Sequence, residues 1–495
     1  MRYDAIIIGS GVSGMTAGVL LARAGQKVAI LEQHRIPGGL MQSFSRKSLV
    51  FPTGVHRLGA LAVGQVLWRY FKYLGVLDTL SLVPMDSDGF EEYDFSGRRF
   101  RVPFGRGPFR ERLTALFPKE RESIRRYFEA MAACVVRFGL YTLSPDLSVG
   151  RMEGALSLSD FLRRIGCSPD LCSVLTAANP LYGLHPDDCP TETHLLVMDS
   201  FLQSAWRVDE ERTPLGEAFA ASFRQKGGTL RCGARVTRVI VTDGSAGGVC
   251  LSTGEKLFAP TVIHTGHPRS LLTLCPEKAF RPVFRNRLKE SEDTYGTFGV
   301  AMAWNAQDCP LTGCDTYLYA AMDTGGQYGG RRGCLTGWPH MLYCSALPAG
   351  GRRHAVTAIA KSTGGALARL RGGGHGSRKA GYRALKAALS ERVLIAMEAR
   401  WPEIKGRLEI VDTYSPVTFE DYTLAPGGTA YGIKKSVRSF RQNQFLPLTR
   451  VRGLMLAGQS IFMPGILGAL ISAVVTCSQL AGQADLITNI IEETI

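Results

Sequence analysis

The sequence predicts an α/β fold built on a parallel β-sheet, because the first segments of the chain form a strand–helix–strand unit. Residues 4–8 (DAIII) contain an apolar run rich in isoleucine, which is typical of a strand buried on both faces of a parallel sheet. Residues 15–24 (MTAGVLLARA) have the composition of a helix, and Gly25 is placed to end it. Residues 27–31 (KVAIL), which are mostly apolar, then supply the second strand.

The turn between the first strand and the helix carries glycines at Gly9, Gly11 and Gly14, with the spacing G-x-G-x-x-G. In this motif the first glycine permits the tight turn, the second lets the backbone approach a pyrophosphate, and the third lets the helix pack on the strand. The helix N-terminus offers unpaired N–H groups to the phosphates. The turn therefore predicts a Rossmann-type dinucleotide site, and an ordinary βαβ turn that binds nothing is the disfavoured alternative.

Glu32 ends the second strand, about 20 residues beyond the glycines, where a carboxylate accepts the ribose hydroxyls of an adenosine. A 2′-phosphate at that place would be repelled. These features alone do not separate NAD from FAD.

The paired glycines Gly38 and Gly39 follow Glu32 closely and let the backbone run against a ligand. This arrangement resembles the FAD-binding signature of the flavoprotein superfamily that includes amine oxidases and phytoene desaturases. Near the other end, residues 453–468 (GLMLAGQSIFMPGILG) resemble the segment that closes the FAD site in that superfamily. The resemblance implies a helix N-terminus at Gly465 and Ile466, facing the flavin.

A middle segment, residues 229–241, predicts short strands and resembles the superfamily's third FAD segment. The resemblance implies that the backbone of Val236 contacts adenine. A plain β-meander without a ligand is the alternative.

Several further motifs narrow the resemblance to one family. They are residues 412–416 (DTYSP), 423–432 (TLAPGGTAYG) and 456–462 (LAGQSIF), together with the turn from Gly54 to Gly59. They resemble the retinol saturase branch of the carotenoid desaturase and isomerase family. The resemblance implies an FAD enzyme that saturates, desaturates or isomerises polyenes of long isoprenoid lipids, in peripheral contact with membranes. It is thin over residues 60–205 and 270–400.

A chain of 495 residues exceeds one ordinary core, so we expect two intertwined domains. The fold class is then a Rossmann-type, amine-oxidase-like FAD-binding domain with an inserted mixed α+β substrate domain. The FAD-binding domain is expected over residues 1–60, 207–270 and 410–495, and the substrate domain over 61–206, a helical insert, and 271–409.

The hydrophobic content and the net charge of the chain indicate which classes of binding partner to expect. The content of 45% hydrophobic and 20% charged residues is that of a globular chain. The net charge of +15 is large, but no nucleic-acid motif accompanies it, so we expect no nucleic-acid partner. Attraction to anionic lipid headgroups and a merely basic soluble surface both stay open as explanations. The oligomeric state stays open as well.

The 12 cysteines contain no C-x-x-C pair, which disfavours metal sites and disulfides and favours a reducing compartment. Because the fold is expected to start at about the third residue, we expect no signal peptide before the first strand. The apolar stretch 461–477 is rather short for a membrane span and contains Pro464, so a buried helix facing the cofactor is expected. These points predict a cytoplasmic protein with peripheral membrane contact as an additional expectation.

The site prediction has a cofactor set and a catalytic pair. The cofactor set is Gly9, Gly11, Val12, Ser13, Gly14, Glu32, Gln33, Gly38, Gly39, Val236, Gly266, Gly458, Gln459, Gly465, Ile466 and Leu467. The catalytic candidates are His56 and Tyr431, the titratable groups on turns next to the flavin. A structural histidine is an equally good interpretation of His56, and a cavity wall is the better one of Tyr431.

Three functions are compatible with these residues. The first is an FAD-dependent oxidoreductase or isomerase acting on a long apolar polyene through hydride transfer at flavin N5. The second is a flavin amine oxidase acting on a small substrate, which needs a charged or aromatic anchor. The third is a prenyl-lipid escort without flavin, which has no use for Glu32 and the glycine pairs. A yellow purified protein excludes the escort.

Overall fold

The computed structural model describes residues 2–143, 156–325, 338–349, 353–362, 365–372, 378–481 and 483–494. The strands in this part of the chain are β1 Ala5–Ile8, β2 Val28–Leu31, β3 Ser43–Arg46, β4 Leu49–Pro52, β5 Leu58–Gly59, β6 Leu82–Pro84, β7 Glu91–Phe95, β8 Arg98–Val102, β9 Ala205–Val208, β10 Thr229–Arg231, β11 Val236–Thr242, β12 Ser245–Leu251, β13 Lys256–Phe258, β14 Thr261–His264, β15 Thr297–Trp304, β16 Asp315–Tyr319, β17 Met341–Ala349, β18 Arg353–Lys361, β19 Leu408–Tyr414 and β20 Leu454–Leu456.

The helices of the same residues are α1 Val12–Arg23, α2 Val66–Tyr73, α3 Arg106–Leu116, α4 Arg121–Val136, α5 Gly139–Thr142, α6 Leu158–Arg164, α7 Pro169–Thr176, α8 Thr191–Gln203, α9 Leu215–Gln225, α10 Leu271–Leu274, α11 Pro282–Glu290, α12 Gly365–Arg369, α13 Ala380–Arg400, α14 Pro416–Thr423, α15 Phe440–Asn443, α16 Gly465–Ala481 and α17 Gln483–Glu492.

The predicted parallel sheet is confirmed, with the strand order β10-β2-β1-β14-β20. Its pairs are all parallel, with Ile6 of β1 opposite both Ala29 and Val262. Numbered along the chain, this order is 3-2-1-4-5, so the order reverses between β1 and β14. Nucleotides bind at such a reversal, in the crevice beyond the carboxyl ends of the strands.

Helices α1 and α16 pack against each other over this sheet, so segments from the two ends of the chain meet. Ser13 Oγ donates to the Ala469 carbonyl at 2.7 Å. A small residue also lets α1 pack closely on the sheet itself: a Cβ on Gly18 would lie 2.6 Å from Ile30 Cδ1 of β2. The apolar stretch 461–477 therefore belongs mainly to a packed helix. Among the described residues, no helix has the length and apolar character needed to cross a membrane.

A larger, mixed sheet has the order β19-β15-β18-β17-β16-β7-β8. Most of its pairs are antiparallel, and β16 pairs with β7 in parallel. One face carries a separate apolar core with α13, built around residues such as Phe298, Leu389 and Val393. The other face lies toward the parallel sheet and closes the site described below.

The segment 61–206 contains the expected helices, α2 to α8, and also strands that the sequence analysis did not predict. Strands β7 and β8 join the larger sheet, and β9 pairs with β5 and β6. β19 crosses the predicted domain boundary at residues 409 and 410 and lies in the larger sheet. The proposed domain division itself stays a prediction.

Candidate active site

Each glycine of the first turn has a different structural reason to be glycine. Gly9 has φ +99°, which side-chain-bearing residues rarely adopt. A Cβ on Gly14 would lie 2.0 Å from the Gly9 carbonyl oxygen, so only glycine lets α1 approach β1 this closely. Gly11 has an ordinary φ of −62°, and a Cβ there would meet no atom within 4 Å. At Gly11 the missing side chain leaves open space beside the backbone, as a bound pyrophosphate requires.

Ser10, which the sequence analysis did not select, connects this turn to Glu32 and to the glycine pair. Its hydroxyl donates to Glu32 Oε2 at 2.6 Å and accepts from the Gly38 amide at 3.0 Å. The His34 amide donates to Glu32 Oε1 at 2.8 Å, and the Ser10 amide donates to Oε2 at 3.0 Å. A carboxylate has about four acceptor positions, so Glu32 retains capacity for a ribose hydroxyl.

The glycine pair packs backbone against backbone. Gly38 and Gly39 have φ of +116° and +57°. A Cβ on Gly39 would lie 3.1 Å from Gly11 Cα, and one on Gly38 would lie 3.0 Å from Gly216 Cα. The pair therefore holds the loop against the first turn without filling the space beside Gly11.

The segment near the other end of the chain completes the same crevice. Gly458 has φ +124°, and a Cβ added to it would lie 3.1 Å from the Thr265 carbonyl oxygen. Thr265 Oγ1 in turn donates to the Ile8 carbonyl at 2.8 Å. Gly465, with φ +83°, begins α16, and a Cβ there would point into open space. The turns that follow β1, β14 and β20 thus meet at the reversal of the parallel sheet.

These turns border a cavity of about 770 Å³. The residues predicted for the cofactor that line it are Gly9, Gly11, Val12, Ser13, Glu32, Gln33, Gly39, Val236, Gly266, Gly458, Gln459, Gly465, Ile466 and Leu467. Gly14 and Gly38 lie behind the lining, at the close backbone contacts described above. Both catalytic candidates, His56 and Tyr431, also line the cavity.

Beyond the nucleotide crevice, the cavity continues between the segment 61–206 and α16. The lining there is largely apolar, with Phe138, Leu140, Leu181, Leu196, Val197, Phe201, Ile466 and Ile471. Such a lining favours an apolar ligand, because burying apolar surface is the main favourable contribution to its binding.

The larger sheet contributes a polar patch to this cavity. Side chains alternate between the two faces of a strand, so Asp315 and Tyr317 of β16 share a face. Their register partners in β7 are Glu91 and Tyr93, and Tyr343 of β17 lies opposite Tyr317. Tyr317 and Tyr343 line the cavity.

Arg57 is the centre of this patch, which we call the Arg57 cluster: Arg57, Glu91, Asp315, Tyr317, Tyr343 and Arg207. Arg57 donates to Asp315 Oδ2 at 2.7 Å, to the Tyr317 hydroxyl at 3.0 Å and to Glu91. Arg207 donates to Asp315 Oδ1 at 2.7 Å, and the Tyr343 hydroxyl donates to Oδ2 at 2.8 Å. Two buried cations thus face two buried carboxylates.

Protonation states follow from these surroundings. Burial opposes the charge of Asp315, but Arg207 and Arg57 outweigh it and lower the pKa of Asp315 to about 2. The accessible surface of His56 faces the cavity, and its ring lies 5.4 Å from that of Tyr343. Burial, assisted by Arg57 and Arg207, lowers the pKa of His56 to about 4. His56 is therefore neutral at neutral pH and has no imidazolium proton to donate.

Tyr431 is packed into the cavity wall. A Cβ on Gly183 would lie 2.6 Å from Tyr431 Cδ2, and the Tyr295 ring meets the Tyr431 ring edge-on at 6.4 Å. Burial raises the pKa of Tyr431 above its ordinary value. Its catalytic role, like that of His56, stays a prediction.

A dinucleotide crevice that opens into a largely apolar cavity bordered by a second sheet is typical of the class of nucleotide-cofactor oxidoreductases. The model of a family described as flavin containing amine oxidoreductase matches residues 12–304. The chain belongs to this family. It is an FAD-dependent oxidoreductase, and the open space at Gly11 and Gly465 and the available carboxylate of Glu32 fit that cofactor.

Relatives and solved structures agree with this assignment. The chain is 25% identical to the all-trans-retinol 13,14-reductase of Rattus norvegicus, over 96% of this chain and 85% of that protein. It is 26% identical to a prolycopene isomerase of an Oncidium hybrid cultivar, over 53% of this chain and 48% of that one. The resemblance to the carotenoid and retinol branch is thereby confirmed. Putrescine oxidase bound to putrescine shares the fold, with a TM-score of 0.65 and 14% identity over 97% and 99% of the two chains.

Proposed function

We propose that this enzyme acts on carbon–carbon double bonds, or on their saturated counterparts, in a long apolar polyene or isoprenoid lipid. The observation that carries the proposal is the apolar part of the cavity, which continues directly from the nucleotide crevice. The names of the retinol reductase and prolycopene isomerase relatives support the same substrate class.

FAD, when bound, supplies a two-electron hydride donor or acceptor. The residues of this chain supply binding, orientation and exclusion of water. The turn around Gly11 and the N-terminus of α1 hold the pyrophosphate, and Glu32 accepts the ribose hydroxyls. The apolar residues from the segment 61–206 hold the polyene and keep water from it.

An amine oxidase is the second candidate, and the cavity argues against it. Lys361 lines the cavity, and burial lowers its pKa to about 8, so most of the population carries a positive charge at neutral pH. The Arg57 cluster balances its own charges internally. The positive charge of Lys361 would therefore repel a cationic amine, and the Arg57 cluster has no unpaired carboxylate to attract it.

Anaerobic incubation with candidate polyenes tests the function and its direction together. Reoxidation of reduced flavin indicates saturation, and bleaching of oxidised flavin indicates desaturation. An unchanged flavin with altered polyene geometry indicates isomerisation. If no polyene changes and a small amine bleaches the flavin, the proposal is wrong.

We also propose peripheral contact with anionic membranes, supported by the net charge of +15. Holoprotein should sediment with vesicles containing phosphatidylserine, less so at high salt, and not with purely phosphatidylcholine vesicles. Equal sedimentation with both would contradict an electrostatic contact.

A further inference from the structure

We propose that the Tyr317 hydroxyl is the hydrogen-bond donor that recognises an acceptor oxygen on the substrate. The enzyme would then select oxygen-bearing polyenes over pure hydrocarbons of the same shape. This inference rests on the proposed polyene function and adds to it both a specificity-determining residue and a substrate class.

Tyr317 differs from the tyrosines beside it in how its hydroxyl is used. On the neighbouring strands, Tyr343 donates to Asp315 at 2.8 Å and Tyr93 donates to Glu91. Tyr319, two residues further along β16, donates to the Ala177 carbonyl at 2.6 Å. Each of these three hydroxyl protons has a protein acceptor.

The Tyr317 oxygen has the opposite role, because its partner is Arg57 at 3.0 Å. A guanidinium has no acceptor capacity, so Arg57 donates and the Tyr317 oxygen accepts. Within the described residues, no acceptor lies within hydrogen-bond distance of the remaining Tyr317 proton. A buried donor without a partner is costly, and the space that Tyr317 borders is the cavity.

The cluster around Arg57 fixes this donor in place. Glu91 and Asp315 hold the guanidinium from two strands, and the Arg57 and Glu91 side chains are 2% and 1% exposed. Donation from a cation to the phenol oxygen polarises the phenol and strengthens it as a donor. Arg57 is therefore a positioning residue for Tyr317.

The cavity lining also contains apolar side chains, beside which an unpaired donor is costly. Met341, Ile359 and Phe201 also line the cavity and offer no side-chain hydrogen bond to a polyene oxygen. A site built to bond an oxygen rejects the analogue that lacks it, because the buried polar group is then left unpaired. A hydrocarbon would leave the Tyr317 proton without an acceptor.

Binding to the FAD-loaded enzyme tests the inference without relying on turnover. Dissociation constants are measured by quenching of tryptophan fluorescence with three probes that share one polyene chain. The probes are all-trans-retinol, its methyl ether, and the hydrocarbon with a methyl group in place of the hydroxymethyl group. The wild type should bind the alcohol and the ether about two- to tenfold more tightly than the hydrocarbon.

In Tyr317→Phe this preference should fall to about one, while the affinity for the hydrocarbon is unchanged or higher. Tyr319→Phe is the matched control: it removes a hydroxyl from the same strand that does not line the cavity, and it should keep the wild-type preference. Flavin content and melting temperature of both variants show whether they fold.

A preference that survives in Tyr317→Phe overturns the inference. The inference is also overturned if the wild type binds the ether as weakly as the hydrocarbon, because recognition would then require a proton donated by the substrate. This comparison uses only the wild type, so it is decisive even if Tyr317→Phe does not fold. A wild type that binds none of the three probes contradicts the polyene function itself, which separates the two failures.

Discussion

The Ser10 hydroxyl lies 2.6 Å from Glu32 Oε2, and through this contact the first turn of the fold and the carboxylate predicted to bind the ribose form one unit. The same hydroxyl accepts from the Gly38 amide, so a single buried atom connects the first turn to Glu32 and to the glycine pair. Its removal should therefore affect the cofactor more than the fold.

Ser10→Ala should weaken FAD binding about tenfold. It removes a hydrogen bond to a charged carboxylate and leaves the buried Gly38 amide without its partner. The measurement is the FAD dissociation constant, obtained by titrating the apoprotein and following flavin fluorescence.

Ser222→Ala is a suitable control, because Ser222 is equally buried and donates to the Leu74 carbonyl outside the cavity. It should lower the melting temperature without changing FAD affinity. Equal FAD affinity in Ser10→Ala and the wild type would contradict the role given to Ser10.

Gly11→Val should abolish FAD retention while the protein still folds. The backbone at Gly11 is in an extended conformation that valine adopts readily, and the new side chain would occupy the space beside the turn. The ratio of flavin to protein absorbance after gel filtration measures the loss.

Gly107→Val provides the comparison, since a Cβ there also meets no atom within 4 Å but the residue lies outside the cavity. Flavin should stay bound in this variant. Full flavin content in Gly11→Val would show that the pyrophosphate does not lie at this turn.

Arg57→Met should destabilise the protein by about 3–5 kcal/mol. Removing one partner of a buried ion pair leaves Glu91 and Asp315 with an uncompensated charge. Urea unfolding followed by circular dichroism measures the shift in midpoint.

The exposed pair of Arg98 and Asp170 gives the contrast, with side chains 55% and 47% exposed. Arg98→Met should cost less than about 1 kcal/mol. Similar costs for the two variants would mean that the Arg57 cluster contributes little to stability.

Glu210 should make stability depend on pH near neutrality. Burial raises the pKa of Glu210 to about 7, so between its ordinary pKa and pH 7 the folded state holds a proton that the unfolded state has lost. Its contribution to the unfolding free energy is fully present below that range and is lost as the pH rises through 7, by about 3 kcal/mol. Thermal unfolding at pH 5 and pH 8.5 measures the difference.

Glu210→Gln should remove this part of the pH dependence, because the amide does not titrate. Glu211→Gln, at the exposed neighbouring residue, should leave it in place. If the stability of Glu210→Gln depends on pH as strongly as that of the wild type, the pH dependence comes from another group.

The nucleotide crevice was largely predictable from the sequence because its determinants are local. The spacing of Gly9, Gly11 and Gly14 specifies a turn between neighbouring elements, and residues 453–468 carry a comparable local pattern. The role of Ser10 was not predictable from the spacing of residues in the motif, because it depends on a contact with Gly38, 28 residues away.

The Arg57 cluster was not predictable in the same way. Glu91 and Asp315 each lie two residues before a tyrosine, Tyr93 and Tyr317, on their strands. Their proximity, however, depends on β7 and β16 pairing in parallel across more than 200 residues of chain. No local pattern determines that pairing. Because β7 and β8 belong to a sheet formed with such distant segments, the strands within the segment 61–206 were not predicted either.

The packing of α1 on α16 has a consequence for how the protein is made. The first helix leaves the ribosome with an apolar surface whose partner is synthesised more than 400 residues later. Contacts between such distant segments slow folding and leave apolar surface exposed in the meantime. The nascent chain therefore lacks one wall of its flavin crevice until α16 has been synthesised, so we expect the complete cofactor site to form only after that helix has left the ribosome.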